Sequence, residues 1–403
     1  FTIMTGGSTP NMSASGETYI YAAFADRPGN NWDVNNLVAE AAGLSTANQG
    51  FDAVTYSGSG STNAISLQFQ PDLVWIKRRN GANAHALFDS IRGVTKVLES
   101  SNTGAEKTND PAITSFDTNG FTVGGTYGQT NASGGTYVAW CWRAGGTAVS
   151  NTDGTITSQV SANTTYGFSI VKYNLTGTSA ETIGHGLNSS LGLLITKCIS
   201  TTNGWAIWHS AFTDTQGIAF NTSAVGTQTW WDQSNMTSSV FAHKGGTTSP
   251  SSGADVIAYC WSEVPGFSKF GSYTGSGVSG NTVTTGFKPR FLIIKRTDST
   301  GNWWIWDTER GNNKFLYADA SSGGNANDAV VGSYPINATA TGFSIDNTAD
   351  LNTNGATYIY AAFADRPPGE IIDSLIDTPT DYEATPNNGG NYATLNPLNK
   401  HNS

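Results

Sequence analysis

The chain has 403 residues, enough for several domains of about 100–150 residues, and its formal net charge is -10, from 20 Lys and Arg against 30 Asp and Glu. That balance argues against sequence-independent binding of nucleic acid, which needs Lys and Arg to displace counterions, and no apolar run reaches the roughly 18–20 residues of a membrane-spanning helix. Only 12% of residues are charged, 11% are aromatic and 47 are Gly, which excludes full disorder and points to an all-β chain with many turns.

The first predicted element is Thr18–Pro28, TYIYAAFADRP, which recurs letter for letter at Thr357–Pro367. Looser copies stand between them, TYVAWCWR at Thr136–Arg143 and DVIAYCWS at Asp255–Ser262. Self-similarity at such intervals marks one β-rich unit used several times. Together with Phe1–Ile3, residues 1–28 are expected to be the closing strands of a truncated first repeat. A linker, 29–50, follows, with a short helix over Val34–Ala42.

Three fuller repeats are expected at 51–146, 167–264 and 265–367, with a linker at 147–166. Each opens on an aromatic strand that runs into a Gly turn: Phe51–Gly60, Phe168–Gly177 and Phe267–Gly277. An apolar strand follows at Pro71–Arg79, Leu191–Cys198 and Pro289–Arg296, then another at Ala86–Gly93, Ala206–Thr213 and Trp304–Gly311. GFTVG at Gly120–Gly124 and GFSI at Gly342–Ile345 precede the closing strands. Six to eight short strands per unit, roughly, read as tandem β-sandwich repeats, jelly-roll or concanavalin-like, and not as a βαβ fold. Beyond Pro367 the residues 368–403 read as a C-terminal linker, with a short element at Glu370–Asp377, leading towards a missing domain.

The closing strand breaks period-2 alternation. In Tyr137–Trp142 one face holds Val138, Trp140 and Trp142, and the other Tyr137, Ala139 and Cys141. A strand apolar on both sides is covered on both sides. One side belongs to the sandwich core. The other meets a linker, the next repeat or a neighbouring subunit, unless the strand is central within its own unit.

Three cysteines cannot build a disulfide framework. Cys141 and Cys260 take the place held by Ala23 and Ala362 in the other copies, so the position is a small buried slot for structural thiols.

Chemistry is sparse. P-loop, dinucleotide fingerprint, HExxH, CxxC pairs and the G-x-S-x-G elbow are absent. The most site-like pattern is Asp-x-x-Arg-Gly, at Asp89, Arg92 and Gly93 and again at Asp307, Arg310 and Gly311. As structure, Asp and Arg pin a turn; as a site, the Arg fork could grip a sugar or a partner. The structural reading is preferred, as two ion pairs. The remaining copy has His209 and Phe212 there and is expected to lose the pin. The Lys77–Arg79 and Lys295–Arg296 strand ends read as solvated, and the histidines as surface or hydrogen-bonded groups. Glu99, Glu106, Asp110, Glu181, Glu263 and Glu309 show no pairing of the kind a glycosidase needs. Adjacent tryptophans in a strand point to opposite faces, so Trp205, Trp208, Trp231 and Trp303 are the expected ligand contacts, offering flat apolar faces to sugar rings. No catalytic residue and no metal ligand is assigned, and no cofactor is expected. Asp346 and Asp350 in one loop are thin support for a Ca²⁺ cage.

GFKPRFLIIKR, GGTYVAWCW and TYIYAAFADRP together resemble a repeated module of long tail-fibre and other virion-surface proteins of marine tailed bacteriophages. The stretch 372–398 resembles the linker that leads, in such proteins, into a concanavalin-like or SPRY-like domain. The second repeat departs most, with LGLLITKC and no Asp-x-x-Arg-Gly. The resemblance implies a non-enzymatic structural protein, a segment of tail fibre or adhesin on the extracellular virion surface that presents β domains for host attachment. Its implied partners are other virion proteins, a host-surface glycan or protein receptor, and further copies of itself, a trimer being favoured; nucleic acid and membrane insertion are not expected. The alternatives are a capsid decoration or baseplate-associated protein and a polysaccharide-degrading virion enzyme.

Overall fold

The computed structural model describes residues 50–364 except 109–110, 178–179, 214–215, 221–223, 228–229, 245–252 and 321–335. The expected remnant at 1–28, the helix at Val34–Ala42 and the C-terminal linker lie outside the described residues. The fold is all-β: short antiparallel strands in small sheets, with 3-10 turns at Gln233–Asn235 and Asp350–Asn352. Among the described residues no helix is long and apolar enough to cross a membrane.

Three sets of strands share one plan, and we call them lobes. In each, a closing strand lies between an opening strand and an apolar strand, and a fourth strand follows. The first lobe orders them Phe51–Ser57, Thr136–Trp142, Leu73–Arg78, Ala86–Asp89. The second has Phe168–Asn174, Asp255–Ser262, Leu191–Cys198, Trp205–His209, and the third Ser268–Thr274, Thr357–Ala364, Pro289–Arg296, Trp303–Asp307. The registers match as well. Leu73 faces Trp142, Leu193 faces Trp261 and Phe291 faces Phe363. A smaller sheet covers the outer side of each: Asn63–Ser66, Gly120–Val123 and Ile113–Asp117 in the first, Glu181–Gly184 with Val240–His243 in the second, Asn281–Thr284, Gly342–Ile345 and Ile336–Thr339 in the third.

The stretch 147–166, expected as a linker, is not merely that. Val149–Asn151 and Ser158–Asn163 pair with each other, and the latter pairs with the opening strand of the second lobe, Val160 against Val171. Ser158, Val160 and Ser161 are buried in the process. The backbone groups of that strand's outer edge are satisfied by this added strand.

The two faces of the closing strand serve two cores. In the first lobe Tyr137, Ala139 and Cys141 pack with Ile65, Phe121 and Val123 of the outer sheet. Val138, Trp140 and Trp142 join a core common to all three lobes. There the equivalent residues Trp142, Trp261 and Phe363 meet in a triangle, with ring centroids 5.8, 6.4 and 5.7 Å apart. Elsewhere in the shared core Phe220 touches one tryptophan from each lobe: Trp75 at 5.7 Å, Trp205 at 5.6 Å and Trp303 at 5.2 Å. Burying each such ring contributes roughly 1.5–3 kcal/mol, with a further edge-to-face term of about 0.5–1.5 kcal/mol per well-placed pair. The lobes therefore close around a common aromatic centre and lie within a single compact unit. They are not strung out one after another.

Candidate functional site

The polar residues that the sequence singles out lie where lobes meet. Asp89 and Arg92 form an ion pair with both side chains buried, as do Asp307 and Arg310, the latter at 2.6 Å. In each pair the carboxylate also accepts the Arg backbone N–H, at 2.8 and 2.9 Å. The guanidinium donates to a strand carbonyl, Leu87 at 2.9 Å or Ile305 at 3.0 Å. The turn ends on Gly93 and Gly311, whose φ values of 89° and 102° favour glycine. Burial alone would lower the Arg92 pKa, but Asp89, Tyr259 and Glu106 together outweigh it and the net shift is upward.

Each acid reaches a donor on a neighbouring lobe. The Tyr259 hydroxyl of the second lobe donates to Asp89 Oδ2 of the first at 2.8 Å. The Trp140 indole of the first donates to Asp307 Oδ2 of the third at 2.9 Å, and Arg310 stacks over the Trp140 ring, 5.5 Å from its centroid. At the remaining interface His209 stands in the Asp position. Its Nε2 donates to the Tyr360 carbonyl at 3.1 Å and its Nδ1 accepts the Ala211 N–H at 3.1 Å. The pin expected to be lost in the second lobe is thus replaced by a neutral imidazole, whose pKa burial lowers to about 4. The contacts run first lobe to third, second to first and third to second, so the ring closes.

A second set of contacts follows the same order. Trp205 Nε1 donates to the Glu99 carbonyl at 3.0 Å, and Trp303 Nε1 to the Ala219 carbonyl at 2.9 Å. At the equivalent position of the first lobe, His85 faces the Tyr317 backbone, which favours its charged form, although its Nε2 makes no hydrogen bond of ordinary geometry; burial dominates and lowers its pKa well below the usual value.

The four tryptophans expected as ligand contacts are corrected by this geometry. Trp205, Trp208, Trp231 and Trp303 are 2%, 6%, 1% and 3% exposed. Alternation does send neighbouring rings to opposite faces, but one face meets the outer sheet of its lobe and the other the shared core. Trp231 stacks on His243 at 4.9 Å. None of the four offers a face to solvent.

The strand-end lysines are corrected too. Lys77, Lys197 and Lys295, equivalent in the three lobes, are 1%, 1% and 0% exposed. Their ammonium groups donate to carbonyls at strand ends and in loops: Arg78 and Gly81, then Cys198, Asn203 and Thr103 of the first lobe, then Gly301. Burial lowers the pKa of Lys197 and of Lys295 to about 8. Of the histidines, His85, His185, His209 and His243 are also buried, His243 shares a 2.7 Å hydrogen bond with the Tyr173 hydroxyl, and His401 lies outside the described residues.

The acids considered for glycoside cleavage are dispersed in local pairs. Glu99 holds Lys107, Gln129 and Asn102; Glu106 lies 3.4 Å from Arg92; Glu181 accepts from Thr176. Glu263 pairs with Lys269 at 2.7 Å and Glu309 with Arg290 at 3.5 Å, while Asp110 lies outside the described residues. Cys141 and Cys260 are fully buried, and burial raises both thiols. Among the described residues no group of three or more His, Cys, Asp or Glu could hold a metal ion. Asp346 instead accepts from Asn337 and Ser344.

Tyr259 and Arg290 were not singled out by sequence, and Trp140 only as part of an apolar strand face. Their signal is a match between lobes: Asp89 and Asp307 meet Tyr259 and Trp140, whereas His209 meets the third lobe, where the equivalent residue is Ala361. Within any one lobe the match fails, since His209 and Tyr259 share a lobe. It becomes legible only once the cyclic order is known.

No curated protein and no solved structure matches the chain. A family model spans residues 46–367, all three lobes together, and the chain belongs to the family described as Domain of unknown function (DUF7483).

Proposed function

We propose that the chain is a non-enzymatic structural segment of a phage virion surface, in a tail fibre or adhesin, which holds β lobes outside the particle for attachment to the host. The observation that carries this reading is the closed three-lobe core. The Asp-x-x-Arg pairs, the substituting histidine and the three lysines join lobe to lobe or loop to strand. The candidate acids among the described residues are held in separate local contacts. The lobe arrangement also changes the argument for a trimer. The apolar strand faces that would have suited subunit contacts are covered by the chain's own lobes, so self-association would have to use other surfaces.

Immunogold labelling of intact virions with antibody to the chain tests the proposal. Label on fibres supports it. Label distributed over the capsid contradicts it in favour of a decoration protein, and release of reducing ends from host glycans contradicts the non-enzymatic part.

A further inference from the structure

The three lobe interfaces are equivalent in frame but differ in filling. Between the third and first lobes, Arg290 reaches across to Asp52 at 2.8 Å and to the Ala53 carbonyl at 3.0 Å. Glu309 there lies within 3.5 Å of Arg290 and accepts from Thr55 of the first lobe at 3.3 Å. Between the second and third lobes the residues at the positions of Arg290, Glu309 and Thr55 are Gly192, Ala211 and Ser272. Phe270 fills the space over Gly192, but the shorter side chains of Ala211 and Ser272 leave a cleft of about 560 Å³. That volume is within the roughly 300–1,000 Å³ of small-molecule sites.

The lining is amphipathic and close to neutral. Ala211 and Val225 of the second lobe supply apolar surface, with Phe212 buried behind them. Ser272, Thr274 and Thr357 of the third lobe supply hydroxyls, and Gln216 an amide. The one carboxylate, Asp298, is held by Arg296 at 2.8 Å, so the pair adds acceptors without net charge. No lysine lines this cleft, whereas Lys172 and Asp72 line the equivalent cleft of about 770 Å³ between the first and second lobes. Ring C–H faces need apolar surface and sugar hydroxyls need paired donors and acceptors; charged ligands would find no counter-ion here.

We propose that the cleft between the second and third lobes binds a neutral saccharide, with Ala211 and Val225 beneath the sugar and Gln216, Ser272, Thr274 and Asp298 bonding its hydroxyls. This gives the attachment reading a ligand class and a place, and it rests on that reading for its biological setting.

The test is saturation-transfer NMR on the full chain with lactose, maltose, cellobiose, mannobiose and diacetylchitobiose as probes. Two variants borrow residues that the same chain accepts at equivalent positions: Ala211→Glu, as Glu309, and Ser272→Lys, as Lys172. Thermal melts check that both fold. The expected result is saturation of at least one probe, lost or weakened about tenfold or more in both variants and unchanged by Ile91→Glu at the first-second cleft. No transfer to any probe, or transfer that survives both variants, overturns the proposal. The two readings fail separately: fibre labelling with no saccharide binding removes the cleft and leaves the attachment role, and capsid labelling with cleft binding does the reverse.

Discussion

Trp140 and Asp307, separated by 167 residues in sequence, share a 2.9 Å hydrogen bond between two lobes, with both side chains buried. The same carboxylate neutralises Arg310, so one acid serves a turn in its own lobe and a contact with the next. Trp140→Phe keeps an aromatic ring, though a smaller one, and removes the donor. It should cost about 1–3 kcal/mol by leaving a buried acceptor short of a partner and a gap beside it. Asp307→Asn should cost more, about 3–5 kcal/mol, because Arg310 stays buried without its counter-charge. Urea denaturation of both variants against the parent gives the order.

Tyr259 and Asp89 form the equivalent contact between the second and first lobes. A double-mutant cycle with Tyr259→Phe and Asp89→Asn should show a coupling of about 0.5–3 kcal/mol. Strict additivity would mean that the bond does not join the lobes energetically.

Gly192 faces Phe270 across the second-third interface, and a Cβ built on it would lie 2.2 Å from the Phe270 ring. Gly192→Ala should therefore destabilise by about 1–3 kcal/mol through overpacking. In a Phe270→Leu background the same substitution should cost measurably less. Equal cost in both backgrounds, read from chemical denaturation, would show that the ring is not what excludes the methyl group.

Acid should loosen the fold over a defined window. Burial holds His185, His209 and His243 at about 4 in the folded chain, below the ordinary 6.5. Between those values the unfolded chain binds more protons, so stability falls as pH drops from 6.5 towards 4 and is unaffected by these groups above 6.5. Each histidine carries on the order of 3 kcal/mol across the full window. Melting temperatures measured from pH 7 to pH 4 should fall in that range, and His209→Gln should flatten the slope.

Much of the fold was legible because strands report their own neighbours. The copied closing strands, the opening aromatics and the small slot of Cys141 and Cys260 all follow from local pattern. The double-sided apolar character of Tyr137–Trp142 even announced a second cover, but not its identity. Trp205 and Trp303 misled for the same reason. Alternation says that a ring leaves its own sheet's core, and only the packing of whole lobes says whether water or another lobe receives it. Lys77 and Lys295 read as solvated because a strand end followed by Arg looks like an exit, yet their ammonium groups find loop carbonyls that lie four to six residues on in sequence. The open cleft was invisible because it depends on what Ala211 and Ser272 lack, relative to Glu309 and Thr55.

Differential scanning calorimetry of the full chain tests the closed ring most directly. Lobes locked through one aromatic centre should unfold together, giving a single transition for 50–364 whose van't Hoff and calorimetric enthalpies agree. Three resolved transitions, each with the enthalpy of about 100 residues, would contradict it.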